Sequence, residues 1–310
     1  MGLFILDDIV FPDNKRLTNV IGGAGTYAAQ SAGFFVGRAA GFILDEGSDF
    51  SETLRAEINT WNLDVIWRYN PHRLTTHGLN EYIGHDERKF SYISPRLKIE
   101  PADLLDYPQT SDAKVFHVIS SPERTLQFYN QQVHRNPQQV FVWEPFPPSC
   151  VPEEWPSFRA IISKFHVFSP NAMEAASLVG MPDPLTKRNV EDVSLHFNEF
   201  PGILVIRAGS LGAYIVHGNM HRWYAPYHLT PKAVVDPTGG GNSFLGGFGA
   251  SLASEPLNID RAAVWATVAA GIQIEQIGTA PAQSLQSVNK RISHYVQREG
   301  LTGHFTISDR

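Results

Sequence analysis

Cysteine is almost absent: Cys150 is the single thiol in 310 residues. One thiol cannot close an internal disulfide, and no metal-ligand spacing surrounds it, which fits a reducing compartment. Charge of either sign is not in large excess, with 25 Lys and Arg against 31 Asp and Glu and a formal net charge of −6. That balance argues against a dedicated nucleic-acid or anionic-membrane surface. No apolar run is long enough to span a bilayer. The opening Met-Gly-Leu-Phe-Ile-Leu meets Asp7 and Asp8 too soon for a signal peptide, and Leu6 stands where a myristoylation signal wants Ser or Thr. No repeat of 20 to 50 residues and no low-complexity segment is visible. The expectation is a soluble cytoplasmic protein, and 43% hydrophobic content is ample for a buried core.

What is present is a βα alternation through the middle of the chain. Short apolar runs at 113–120, 138–144, 164–169 and 202–207 read as strands that end in polar chemistry. Ser121-Pro122 and Ser169-Pro170-Asn171 read as helix starts after two of them. Residues 212–227, split by Gly218-Asn219, predict an antiparallel hairpin, and helices are expected near 241–253, 260–276 and 281–297. The pattern predicts a parallel sheet covered on both faces, with Glu144, Asn171, Gly209 and Gly239 converging at its carboxyl ends. Residues 66–100 break the pattern: they are aromatic, basic and alternating, as in a small separate β-sheet serving as a lid.

The most informative stretch is 232–248, Lys-Ala-Val-Val-Asp-Pro-Thr-Gly-Gly-Gly-Asn-Ser-Phe-Leu-Gly-Gly-Phe. An extended apolar run breaks into Gly239, Gly240 and Gly241 and then into a small-residue helix. Glycines let several N–H groups point at one spot, and the helix adds its positive dipole end, which makes an anion site; the bland alternative is a flexible turn.

This block resembles the second signature of the PfkB (ribokinase-like) carbohydrate kinases, Asp-Thr-x-Gly-Ala-Gly-Asp-x-Phe, with Asp236, Thr238 or Pro237, Gly239, Gly241 and Phe244 in register. Asn171-Ala172-Met173-Glu174 resembles the family's Asn-x-x-Glu motif, whose glutamate helps hold magnesium; the same spacing is also a helix capping box. Gly209-Ser210-Leu211-Gly212 resembles the nucleotide-phosphate loop, and alone is a turn signal. Gly2-Leu3-Phe4-Ile5-Leu6-Asp7 resembles the family's opening Gly-x-x-x-x-Asp, in which the aspartate bonds sugar hydroxyls; family members usually carry several apolar residues before that glycine, so the first strand is expected to be clipped. Gly22-Gly23-Ala24-Gly25-Thr26-Tyr27 is similar to Gly-Gly-x-x-x-Asn, a second sugar contact, with Tyr27 in place of the Asn. The His117-Val118-Ile119-Ser120-Ser121-Pro122 strand and the Asp-Pro-Thr-Gly-Gly-Gly-Asn loop fit best the fungal maintenance-of-killer-like branch.

The resemblance implies one ribokinase-like three-layer α/β/α sandwich over residues 1–310, with a small β-sheet lid contributed mainly by 66–100. It implies transfer of the ATP γ-phosphoryl group, with Mg2+, to a hydroxyl of a small sugar-like or nucleoside acceptor. Under it, Gly239, Gly240 and Gly241 stabilise the transferring group. Asn171, Arg207, Gly209, Ser210, Gly212 and Thr238 bind nucleotide, and Glu174 and, through water, Asp236 serve the metal. Asp7, Gly23 and Tyr27 contact the acceptor. One residue departs from the pattern: Asn242 replaces the aspartate that takes the acceptor's proton, and a carboxamide has no basic lone pair at neutral pH. A weakened kinase and a catalytically inactive ATP-binding scaffold are therefore both open.

Two further readings compete. Gly23-Ala24-Gly25-Thr26-Tyr27-Ala28 also matches G-x-G-x-x-A, with Asp45 ending the next apolar run, as a dinucleotide-dependent dehydrogenase requires. That reading leaves 232–248 and Asn171 to Glu174 unexplained. The basic residues His72, Arg73, His77, His85, Arg88, Lys89, Arg96 and Lys98 have the charge to meet an anionic acceptor or RNA phosphates, against the default of solvated loop charge.

Overall fold

Each turn from strand to helix places one polar residue at the carboxyl edge of an apolar run, and the order of those runs sets the architecture. The computed structural model describes residues 2–83 and 88–308, with the backbone alone for Arg88. The chain opens with β1 (Ile5–Val10), β2 (Arg16–Gly22) and helix α1 (Ala24–Val36). Then come β3 (Gly41–Gly47), α2 (Glu52–Asn59), β4 (Asp64–Asn70), β5 (His77–Tyr82) and β6 (Arg88–Tyr92). Alternation follows through β7 (Val115–Ser120), α3 (Pro122–Arg135), β8 (Val140–Pro145), α4 (Trp155–Ile161), β9 (Val167–Phe168), α5 (Ala172–Leu178), α6 (Lys187–Ser194) and β10 (Ile203–Arg207). The hairpin β11 (Ala213–His217) and β12 (Met220–Tyr224) precedes α7 (Gly240–Ser254), α8 (Ile259–Gln273) and α9 (Leu285–Glu299).

Six strands form the central sheet in the order β12-β11-β10-β9-β8-β7. Strands β7 to β10 run parallel and the hairpin closes one edge antiparallel. Side chains alternate between two buried faces, the period-two pattern of a sheet with no wet side. Trp143, Phe168, Leu204 and Ile206 pack under α3 to α6 with Phe128, Phe158 and Val190. Val142, Val167, Val205 and Ile215 pack under α7 and α8 with Phe248, Ala262 and Ala266. The result is a three-layer α/β/α sandwich. Helix α7 can sit between α1 and α8 because its residues are small; Gly246 abuts the Ala28 carbonyl, leaving no space for a side chain.

A second sheet has the order β2-β1-β5-β6, and β3 pairs with β4 in a two-stranded parallel sheet. The boundary of the expected lid therefore differs. Residues 66–70 belong to β4 and pair with β3, whereas β5 and β6 join the amino-terminal strands β1 and β2. The β1–β5 pairing is parallel and spans some seventy residues of sequence, so no local turn signal announces it. A cavity of about 460 Å³ lies between β3, β7, α1 and α7. Of the groups that make up the site below, only His117 lines it.

Candidate functional site

Glycines 239 to 241 sit where the sequence reading expects an anion site. Gly239 precedes α7 at φ 79°, a left-handed conformation that side chains resist, and Gly240 and Gly241 are the first two residues of the helix. Asp236 shapes the approach: its Oδ1 accepts the Thr238 N–H at 2.9 Å and the Tyr82 hydroxyl at 3.2 Å. The loop is also tied to the end of α8, since Val235 N donates to the Ile274 carbonyl at 2.8 Å. A Cβ built on Gly239 would lie 2.5 Å from the Tyr27 ring, so the phenol lies directly over the loop.

Beneath the loop lies a buried charge cluster. Glu144, at the end of β8, accepts from Arg207 Nη1 at 2.8 Å and Asn242 Nδ2 at 2.9 Å on one oxygen, and contacts His117 Nε2 at 2.9 Å with the other. Burial alone would raise the Glu144 carboxyl, but Arg207 and the His117 hydrogen bond bring it down to about 2. Burial holds the His117 imidazole below its ordinary range, so the positive member of the cluster is Arg207. Arg207 also donates to the Ser169 carbonyl at 3.0 Å and stands 3.6 Å from Glu174. Its Nη1 would be 2.5 Å from a Cβ on Gly241, which puts the guanidinium against the first turn of α7. Glu174 and Asn171 form a full capping box at the start of α5, with Asn171 N donating to Glu174 Oε2 at 2.7 Å and Glu174 N to Asn171 Oδ1 at 2.8 Å. Burial raises the Glu174 carboxyl, with Arg207 opposing.

Across the loop stands the four-stranded sheet. Asp7 is buried in β1, opposite Val20 of β2 and Gly78 of β5. Its carboxylate is wedged between two glycines: a Cβ on Gly78 would lie 2.5 Å from Asp7 Oδ1, and one on Gly22 would overlap Oδ2. The Tyr27 hydroxyl is 3.3 Å from the same Gly22 position, so Tyr27 runs from the Asp7 side to the Gly239 loop. Gly23 turns the chain from β2 into α1 at φ 99°.

The structure thus gathers Asp7, Gly23, Tyr27, Asn171, Glu174, Arg207, Asp236, Thr238, Gly239, Gly240, Gly241 and Asn242 around one crevice. Gly209, Ser210 and Gly212 form a short 3-10 turn after β10, with Gly209 open to space and Gly212 at φ 100°. Glu144 and His117 gain the largest role beyond the sequence reading; the available signal was an acid ending an apolar strand. Three of the eight basic residues expected in the lid are engaged locally: His77 bonds Asp49 at 2.6 Å, Arg73 donates to the Pro95 carbonyl at 2.7 Å, and Arg96 lies over Tyr92 at 5.0 Å. His85 and the Arg88 side chain lie outside the described residues.

The dehydrogenase reading is corrected. A dinucleotide-binding unit needs its glycines between two parallel strands of one sheet. Here the G-x-G-x-x-A run follows β2, which is antiparallel to β1, while β3 lies in another sheet. Asp45 is buried against Arg68 at 2.7 Å, and burial, opposed by Arg68, pushes its carboxyl up to about 6.

Among the described residues no group of three or more His, Cys, Asp or Glu side chains forms a metal cage. Glu174 and Asp236 are single, separated carboxylates rather than a cage, a donor set that would suit a magnesium ion keeping most of its waters. No described helix is long and apolar enough to cross a membrane.

Comparison with known proteins finds relatives over nearly the whole chain. The family model "pfkB family carbohydrate kinase" matches residues 7–285. Protein MAK32 of Saccharomyces cerevisiae is 33% identical over 99% of this chain and 93% of its own length. A cytidine kinase of Thermococcus kodakarensis is 28% identical over 80% of this chain and 85% of its own. The ribokinase structure from Giardia lamblia superposes with a TM-score of 0.76 at 19% identity, covering 95% of this chain and 97% of that one, a likeness of ribokinase-like fold. The chain belongs to the pfkB family of carbohydrate kinases, in its maintenance-of-killer-like branch.

Proposed function

We propose that the protein transfers the ATP γ-phosphoryl group to a hydroxyl of a small sugar-like or nucleoside acceptor. The observation that carries this reading is the placement of Gly239 to Gly241 against Arg207 at the start of α7, with the Tyr27 ring linking the loop to Asp7. In this reading the loop N–H groups and Arg207 neutralise charge on the transferring group, where positioning and electrostatics supply most of the catalysis. Asn171, Thr238, Gly209, Ser210 and Gly212 bind the nucleotide. Glu174 and, through water, Asp236 would hold magnesium, which would supply charge neutralisation to the phosphates. Asp7 and Tyr27 orient the acceptor, and the four-stranded sheet is its lid, within one kinase domain working in the cytoplasm.

A second reading has its own support. Asn242 donates its amide to Glu144, so the position of the family's base is held as a hydrogen-bond donor. Loss of a general base typically costs 10²- to 10⁴-fold, which is compatible with slow turnover or with an ATP-binding scaffold. The test is incubation of pure protein with magnesium and radiolabelled ATP against sugars and nucleosides, alongside thermal unfolding. ATP with magnesium is expected to raise the melting temperature, and NAD is expected to leave it unchanged. ATP binding without transfer to any acceptor selects the scaffold; absence of ATP binding defeats both readings.

A further inference from the structure

Strand β5 carries Gly78, Asn80 and Tyr82 on one face, since side chains two apart share a side. The face is identified by its ends: Gly78 meets Asp7 Oδ1 and the Phe90 ring, and Tyr82 reaches Asp236 of the glycine loop. Asn80 lies between them, opposite Ile9 on β1 and Phe90 on β6. It is 4% exposed, and its Oδ1 has no hydrogen-bond partner among the described residues. A buried amide oxygen left without a donor is unfavourable, and such groups are rare in folded proteins. The orphaned oxygens of Gln139 and Ser251, by contrast, lie outside the four-stranded sheet, before β8 and within α7. Asn80 alone stands diagonal to Asp7, where neighbouring side chains are about 7 Å apart.

We infer that Asn80 is an acceptor-contacting, specificity-determining residue whose carboxamide oxygen receives an O–H or N–H of the acceptor while Asp7 receives another. The inference rests on the kinase reading for the identity of the crevice. The spacing of the two acceptor groups matches a cyclic polyol with at least two donors, and Phe90 and Tyr92, 39% and 38% exposed, supply aromatic faces beside it. Free sugars and the sugar of a nucleoside share this chemistry.

The experiment compares wild type with Asn80→Leu, using D-ribose, D-fructose, cytidine and adenosine as probes with magnesium and a non-hydrolysable ATP analogue. Calorimetry gives the affinity of each probe, and thermal unfolding of the ligand-free protein gives the stability. Asn80→Leu is expected to weaken the bound probe by about tenfold or more, with the deoxy form of that probe losing as much on wild type and little further on the variant. Binding of the sugars assigns the free-sugar source, and binding of nucleosides alone assigns the other. The ligand-free melting temperature is expected to hold or rise, because an unsatisfied polar group has been removed. A fall of several degrees with unchanged probe affinity would mean that Asn80 is structural and overturn the inference. So would wild type that binds the ATP analogue and none of the four probes, or a variant that binds them equally well. Failure to bind the analogue strikes instead at the kinase reading.

Discussion

The two sides of the crevice are built on opposite terms. On the glycine-loop side most charged and amide groups are held in advance: Glu144 has contacts to Arg207, Asn242 and His117, and Glu174 and Asn171 satisfy each other, with Arg207 Nε an exception among the described residues. On the sheet side a buried amide oxygen, that of Asn80, lacks a partner among the described residues, and Phe90 and Tyr92 are more than a third exposed. A fixed arrangement of charge suits a ligand group that is the same in every turnover, such as phosphate, because no reorganisation is needed when it arrives. A sheet with unfilled contacts suits a part completed by its own ligand. The loop side should therefore lose stability when altered, and the sheet side should lose selectivity or closure.

The largest effect is expected at Arg207. Arg207→Met leaves Glu144 and Glu174 buried without their cation, and removal of one partner from a buried ion pair costs about 3–5 kcal/mol. Urea unfolding should show that loss, together with loss of ATP binding. A variant as stable as wild type would mean that the cluster is not the anchor of this side.

Next in size is the response to acid. The Glu144 carboxyl is held at about 2, below its ordinary value of 4.5, so its contribution is fully present above about pH 4.5 and is lost as pH falls toward 2. The shift corresponds to about 3 kcal/mol. Glu174, raised by burial, works the opposite way and is favoured as pH falls. Unfolding free energy measured from pH 7 to pH 2.5 should drop more steeply in wild type than in Glu144→Gln. Parallel curves would remove Glu144 from the stabilising set.

Gly239→Ala comes third. It forces a Cβ into a left-handed conformation and against the Tyr27 ring, for about 1–3 kcal/mol of destabilisation. Tyr27→Ala in the same chain should recover the steric part and leave the backbone part, as a double-mutant cycle would show. No recovery would place the whole effect in the backbone.

The same contrast explains what could be read in the sequence. The strands of the central sheet are legible because burial on both faces makes them short apolar runs: expected strands at 113–120 and 202–207 are observed at 115–120 and 203–207. The hairpin is legible through Gly218, which takes φ 56°. The four-stranded sheet was only half legible. β1 carries Asp7 and Asp8 side by side, one buried and one paired with Arg16 at 2.5 Å, and its parallel partner β5 comes after α1, β3, α2 and β4. Pairing across such a separation is a tertiary property that no local pattern encodes. The cluster at Glu144 was foreseen as a point of convergence, but its partners His117 and Arg207 meet only through the register of β7, β8 and β10.

Asn242→Asp sharpens the comparison in activity. A carboxylate at this position supplies a base, and turnover should rise by about tenfold or more if the acceptor side is competent. The new acid would lie beside Glu144, where Asn242 now stands at 2.9 Å, and like charge raises its pKa. The gain should therefore grow with pH, seen as a larger ratio of variant to wild-type kcat at pH 9 than at pH 6. ATP binding with no gain at any pH supports the scaffold reading.

The smallest effect in stability is expected where the two sides touch. The Tyr82 hydroxyl donates to Asp236 Oδ1 at 3.2 Å, while its ring stacks on Phe11 at 5.5 Å. Tyr82→Phe keeps the stacking and removes the hydrogen bond, and Asp236 retains the Thr238 N–H. The expected loss is about 0.5–1.5 kcal/mol, the net worth of one such bond. Its consequence for motion is more telling, because this bond ties the four-stranded sheet to the glycine loop in the absence of ligand. Hydrogen exchange at residues 77–82 should quicken in Tyr82→Phe while exchange in β8 to β10 stays unchanged. Equal acceleration in both regions would mean that the hydrogen bond supports the whole sandwich, and that the sheet does not move as a separate part.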